Sequence, residues 1–496
     1  MNIARLLGVV LFSLFLALIT ACERPILTVN EGDLTFSGDT VMFDSIFTTF
    51  QTPTERLVVT NNTRNNINIS RIWLEREDAS EFSLIIDGIQ ADELQDHVLP
   101  KGDSLHVFIT LKSVEKDMYI EEFINFDVGG NVQKALIRAY VVDAYFFSTR
   151  TVTDPITGQT SYQIPVINSD TTFTGEKSIV IDGPLYVQEN VTLTLEFGTH
   201  LYFTPLKDQN FNLFSMLLVE GTLVVKGTRD NPVIMEGTRL EENYFENPGQ
   251  WRGVRLLPKS KDNCIEHAII KNGLIGIEVD STSINMNPKL TMRYSEVRNM
   301  GAYGLLGIGA GPDVLSSSPA IEMENSMVTN CAEYTLFVFA GGHYNFYNCT
   351  FGNYSFDFPR NTPQVFVNNY FEDADGNIRT YDTRTYFGNC IIWGNEANEI
   401  LPDPANSGLF DLKFENCLLR AEEDYSAYYI NSIEGEDPLF NDPFEKDFRP
   451  KENSPVIDAG KDFSNRYSVD IRNRFDSTRN VPFDIGAYEY YPIEEE

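Results

Sequence analysis

Leu217-Leu218-Val219-Glu220-Gly221-Thr222-Leu223-Val224-Val225-Lys226-Gly227-Thr228 is the stretch on which the fold turns. Leu217, Val219, Gly221, Leu223, Val225 and Gly227 alternate with Leu218, Glu220, Thr222, Val224, Lys226 and Thr228. A period of two puts one set on a buried face and the other on an open face of a strand. An earlier run, Leu193, Leu195, Phe197, Thr199, Leu201 and Phe203, alternates in the same way. Leu195 and Val219 lie 24 residues apart, the length of one coil of a β-solenoid.

Working outward, a second signature recurs. It is seen at His267-Ala268, Tyr294-Ser295, Asn325-Ser326, Asn348-Cys349, Asn389-Cys390 and Asn416-Cys417. The small residues 268, 295, 326, 349, 390 and 417 are 27, 31, 23, 41 and 27 residues apart. Coils of two dozen residues with variable loops explain that spacing. One such coil has a single apolar face and open backbone edges. Stacking copies in parallel, about 4.8 Å per coil, buries the face and pairs the backbone. Ala, Ser and Cys are then expected inside the tube. Asn325, Asn348, Asn389 and Asn416 are expected at a tight turn, because Asn tolerates a left-handed backbone and bonds its copy in the next coil. Cys264, Cys331, Cys349, Cys390 and Cys417 are odd in number and show no CxxC spacing, so most read as packing residues.

The opening stretch, together with Asn231-Pro232-Val233-Ile234 and Trp251-Arg252-Gly253-Val254, resembles the first coils of bacterial right-handed parallel β-helix proteins of the pectin-lyase-like superfamily. Asp437-Pro438-Leu439-Phe440, Phe448-Arg449-Pro450, Ser454-Pro455-Val456-Ile457-Asp458-Ala459-Gly460 and Asp484-Ile485-Gly486-Ala487-Tyr488-Glu489-Tyr490 resemble the terminal run of that group. The resemblance spans residues 175–490. It implies a right-handed parallel β-helix whose last segment caps the open end. It implies no single activity, since lyases, hydrolases, epimerases and adhesins share the fold.

Residues 33–145 read differently. Arg56–Thr60, Phe82–Ile86, Leu105–Ile109 and Ala135–Val141 alternate and are separated by Asn61-Asn62, Asp87-Gly88, Lys101-Gly102-Asp103 and Gly129-Gly130-Asn131. Short strands at this spacing predict a small antiparallel sandwich. Leu34–Phe50, followed by Leu57–Asn61, resembles the immunoglobulin-like modules that precede β-helices in surface lipoproteins.

At the amino terminus, Arg5 precedes the uncharged run Leu6–Thr20, which is short for a membrane span and right for a signal sequence. Ile19-Thr20-Ala21-Cys22 resembles a bacterial lipobox, which implies lipid attachment at Cys22, export and an outer-membrane address. The expected organisation is a signal peptide at 1–21, a tether at 22–32, the immunoglobulin-like sandwich at 33–145, a linker at 146–174, the β-helix at 175–436 and the capping segment at 437–496. A net charge of −34 disfavours nucleic acid and anionic lipid as partners, and leaves polysaccharide or cell-envelope proteins.

The lyase and polygalacturonase residue patterns have no match. Gly341-Gly342-His343-Tyr344 is the nearest element and lacks an adjacent Asp pair. His97, His106, His200 and His267 have no metal-ligand spacing. No cofactor is expected, although Asp458, Asp462, Asp470 and Asp484 include enough oxygen donors for Ca²⁺. Glu322 and Glu324 are two residues apart on the strand Ala320–Asn325, a pair that chance also produces in so acidic a chain. If Phe346 and Phe387 are equivalent inward positions, Tyr347 and Tyr386 point outward from neighbouring coils, with Arg293 on the same face one or two coils earlier. Arg293, Glu322, Glu324, Tyr347 and Tyr386 therefore form the candidate glycan-binding strip, with no catalytic residue assigned. Binding, hydrolysis or lysis of a polysaccharide, and a scaffold role remain the alternatives.

Overall fold

The computed structural model describes residues 27–47, 54–112, 118–153, 157–205, 214–240, 244–309, 318–354, 360–466, 479 and 481–491. Cys22 and Asp470 lie outside the described residues. The chain divides after Asp143 into two compact units.

The first unit is a sandwich of two sheets. One contains Thr28–Val29, Asn66–Leu74, Met118–Val128, Asn131–Val142 and Thr40–Phe47 in that order, with Glu93–Leu99 also on Asn66–Leu74. The other runs Thr35–Phe36, Glu55–Thr60, Ser104–Leu111, Phe82–Ile86, Ile89–Gln90. Alternate residues such as Leu57, Val59, Ile67, Ile69, Leu84, Val107 and Ile137 fill the core. The turn signals work through left-handed backbone: Asp87 and Gly88 have φ of 50° and 80°, and Gly129 and Gly130 have 61° and 93°. The sheets are mainly antiparallel. Thr28–Val29 on Asn66–Leu74 and Thr40–Phe47 on Asn131–Val142 are parallel exceptions.

The second unit, from Ala144, is a parallel β-helix. Its coils build three parallel sheets of eleven, nine and ten strands, here sheets 1, 2 and 3. The chain visits sheet 3, then 1, then 2. Gly342–Tyr347 lies in sheet 3, Thr350–Asn353 in sheet 1, Val365–Asn368 in sheet 2 and Thr383–Gly388 again in sheet 3. The opening stretch of the sequence is two strands and a corner. Met216–Val219 belongs to sheet 2 and Thr222–Lys226 to sheet 3. Gly221 makes the corner, and a Cβ there would meet the Val191 carbonyl oxygen at 2.1 Å. The equivalence of Leu195 with Val219 does not hold, because they lie in different sheets. Leu195 pairs with Val225, and Val219 with Val187.

The corner from sheet 3 to sheet 1 is left-handed in every coil carrying the second signature. The φ values are 49° at His267, 50° at Tyr294, 44° at Asn325, 47° at Asn348, 52° at Asn389 and 51° at Asn416. The next residue in each case is buried. Its side chain accepts a hydrogen bond from the preceding coil at several levels: Ala268 N to Ser295 Oγ (3.0 Å), Ser295 N to Ser326 Oγ (3.1 Å) and Cys390 N to Cys417 Sγ (3.3 Å). Phe346, Phe387 and Phe414 stack through the tube with centroids 4.9 and 4.8 Å apart. The five cysteines are free. Four are buried, whereas Cys264 is only partly covered.

Two boundaries move. Residues 146–174, expected as a linker, contain strands of the first coil: Ala144–Ser148, Val166–Ile167 and Thr171–Phe173 pair with Ser178–Asp182, Pro184–Val187 and Thr192–Glu196. The segment expected to cap the tube, 437–496, places its described residues along the side of sheet 1. Tyr428 and Tyr429 set their rings edge-on to Phe410 and Phe414 at the last strand of sheet 3. The chain then turns back along the side of the tube. Phe440, Phe448, Val456, Ile485 and Ala487 pack there on Met327, Ile391, Trp393 and Leu418 of sheet 1. That outer face is apolar enough to need a cover, and the returning tail provides it.

Candidate functional site

Stacking in register turns sequence positions into columns on the outer face of sheet 3. One column reads Lys226, Glu266, Arg293, Glu324, Tyr347, Gly388, Glu415. The column beside it contains Glu322, Asn345, Tyr386 and Lys413. All five residues of the expected strip are therefore on one face, with Arg293 two coils before Tyr347. Phe346 and Phe387 are indeed paired inward positions. Tyr347 and Tyr386 are diagonal neighbours, with centroids 5.4 Å apart and planes at 49°.

Charge alternates down the first column. Arg293 reaches Glu266 at 3.4 Å and Glu324 at 2.8 Å. The returning tail adds Arg466, whose guanidinium contacts Glu324 at 3.0 Å and Glu322 at 3.1 Å and lies 4.1 Å from the centre of the Tyr347 ring. Glu324 consequently does not sit on a solvated face; it is 3 % exposed, enclosed by two arginines. Burial works against the charge of Arg466, but the Tyr347 phenol and the two glutamates outweigh it and raise its pKa.

Around Tyr386 the pattern repeats in a more open setting. Its hydroxyl donates to Glu415 Oε2 at 2.6 Å, and Lys461 of the tail donates to the same oxygen at 2.9 Å. Burial, then the bond to Glu415, pushes the Tyr386 phenol far above its ordinary range. Glu415 is partly desolvated, yet the bonds from Tyr386 and Lys461 bring it below the usual carboxylate range. Phe463 stands edge-on to Tyr347 at 5.4 Å. Gly388 makes room for these rings, since a Cβ would lie 2.9 Å from both Phe463 Cζ and Tyr386 Cε1. Tyr347, Tyr386, Lys461, Asp462, Phe463, Asn465 and Arg466 enclose a depression of about 370 Å³. Two ring walls with cations and amides at the rim suit a polyhydroxylated ring, which offers C–H groups on its faces and hydroxyls at its edge.

Lys461, Phe463 and Arg466 were not among the expected site residues. They come from the tail, and nothing periodic announces where the tail will lie. What positions them is the asparagine corner. Asn389 Nδ2 donates to the Lys461 carbonyl at 2.8 Å, and the Lys461 amide donates to Asn389 Oδ1 at 2.7 Å. Asn348 donates to the carbonyls of Asp484 and Gly486, and Asn416 to that of Ala459. The expected bond between copies occurs at Asn389 to Asn348, 3.1 Å. Arg479, fully buried, bonds Asn325 Oδ1 and Glu489.

Two of the terminal acids, Asp462 and Asp484, serve the tail's own turns. Asp484 accepts the amides of Asp458 (2.7 Å) and Tyr490 (2.5 Å), and Asp462 accepts that of Ser464 (2.8 Å). Among the described residues, no group of three or more His, Cys, Asp or Glu is placed to hold a metal ion. His343 is the second residue of the strand Gly342–Tyr347 and does not line the depression.

Residues 165–273 match the family model of a pectate-lyase-like β-helix domain, which supports the β-helix superfamily for the first coils. No curated protein matches the chain. Among solved structures, one similarity is to a family 123 glycoside hydrolase from Clostridium perfringens, described in a study of glycolipid glycan hydrolysis. It is 9% identical with a TM-score of 0.16, and covers 23% of this chain and 30% of that one. The chain thus spans less than a third of that enzyme, an overlap that informs neither fold nor chemistry.

Proposed function

We propose that this protein binds a glycan on the outer face of sheet 3, in the depression between Tyr347, Tyr386 and Phe463, and that it does so at the cell envelope as a lipid-anchored protein. The observation that carries the reading is the meeting of two strand tyrosines with a tail phenylalanine and two tail cations around one open hollow. A sugar ring packs its C–H face on Tyr386 or Phe463, and Lys461, Asp462 and Arg466 exchange hydrogen bonds with its hydroxyls. Binding is favoured over cleavage by the state of the acids. Glu322 and Glu324 share the Arg466 guanidinium, and Glu415 is held by Tyr386 and Lys461. A general acid has to hold a proton, and the bonds from Tyr386 and Lys461 bring Glu415 below the usual carboxylate range. The anchor rests on Ile19-Thr20-Ala21-Cys22 behind the run Leu6–Thr20.

A glycan array, followed by a reducing-end assay on every glycan that binds, tests both halves. The expected result is retention of at least one glycan, loss of it in Tyr386→Ala, and no new reducing ends. New ends would replace binding with hydrolysis or lysis. Absence of binding to every glycan would leave a scaffold.

A further inference from the structure

Five coils place Asn at the left-handed corner between sheet 3 and sheet 1: Asn325, Asn348, Asn389, Asn416 and, one coil further, Asn431 with φ of 50°. Two adjacent coils depart from this. His267 and Tyr294 hold the same backbone conformation at 49° and 50°. His, like Asn, enters that region readily, but a bulky Tyr there strains the backbone, and such strain collects at functional positions. The two rings stack on one another, with centroids 5.0 Å apart and planes at 18°. Beside them is a hollow of about 260 Å³, distinct from the first depression, whose lining includes Arg229, His267, Tyr294, Glu296 and Tyr488. A stacked aromatic pair, strained at Tyr294, and a cavity coincide at the two corners where the asparagine series is interrupted.

We propose that this corner is a second ligand site, for a single neutral sugar ring. Its volume is below that of pockets for drug-sized ligands, which sets the ligand at one ring rather than a chain. The His267–Tyr294 pair and Tyr488 supply the apolar wall, and Arg229 and Glu296 supply polar contacts. A cationic ligand would meet Arg229. An anionic one would meet a chain of net charge −34. Burial raises the pKa of Glu296 and lowers that of His267, so both are held toward their neutral forms, which suits hydrogen bonds to hydroxyls.

Saturation-transfer NMR on the folded chain with a panel of neutral hexopyranoses and N-acetylhexosamines tests the site. Transfer to at least one sugar is expected. In the double variant His267→Asn, Tyr294→Asn the affinity should fall tenfold or more while the melting temperature stays level or rises, because the asparagine corner is restored. Tyr386→Ala should leave this transfer intact, which separates the site from the glycan face on sheet 3. If the double variant melts lower, the exposed Arg229→Ala decides: weaker transfer supports the site, and unchanged transfer overturns it. No transfer to any sugar, or a stable double variant that binds as the parent does, overturns it as well.

Discussion

Asn389 and Lys461 hold each other in a two-way bond, the Asn side chain accepting the Lys461 amide at 2.7 Å and donating to its carbonyl at 2.8 Å. Seventy-two positions separate them, and the bond fixes the tail beside the depression. The corner asparagine thus does two jobs: its backbone turns the coil, and its amide docks the tail.

Those jobs are separable by mutation. Asn389→Gly keeps the left-handed turn without cost and loses the amide, and should destabilise by roughly 1–3 kcal/mol. Asn389→Ala adds the left-handed penalty, roughly 1–2 kcal/mol more. Thermal melts give the totals, and hydrogen exchange at residues 456–466 should speed up in both. Equal stability of the two variants would show that the turn itself carries little strain.

Gly388→Ala inserts a methyl into the slot shared by Phe463 and Tyr386. Overpacking of this kind costs roughly 1–3 kcal/mol, and the tail is the part free to yield. The expected result is weaker glycan binding than the parent with an unchanged far-UV spectrum. Parent-like affinity would show that the ring walls do not contact the sugar.

Lys289 supplies a pH dependence. It is fully buried, and its Nζ donates to the carbonyls of Pro258 and Asp280 and to Ser281 Oγ. Burial lowers its pKa from 10.5 to about 8. Between those values the unfolded chain binds the proton and the folded chain does not, so this group's contribution to stability rises with pH across that window and is lost as pH falls through 8. The span is on the order of 3 kcal/mol. Denaturant melts of the parent and Lys289→Met at pH 7.5 and 10 should show the difference between them growing in the parent's favour at the higher pH. A constant difference would place the lysine proton elsewhere.

Cys22→Ser should shift the protein from the membrane to the soluble fraction and abolish incorporation of labelled fatty acid. Retained label in the variant would refute attachment at that residue.

Much of this was readable because a β-helix repeats locally. The stacked Phe346 and Phe387, the small residues inside the tube and the left-handed asparagines all follow from periods visible within a few dozen residues. The five strip residues converged for the same reason, since register carries one coil's outward positions onto the next. Leu195 and Val219 misled because a coil's length is set by its loops: Leu195 and its true partner Val225 are 30 residues apart.

What the sequence by itself determined is the architecture of each coil, because strand alternation, corner residues and stacking are nearest-neighbour properties. What only the tertiary structure decided is the course of the tail. Its contacts join Asn325 to Arg479 and Glu324 to Arg466 across some 150 residues, with no period to betray them. That course buries Glu324, and adds Lys461, Phe463 and Arg466 to Tyr347 and Tyr386. The apolar outer face of sheet 1 had to be covered by something, and which segment covered it was settled by long-range packing alone.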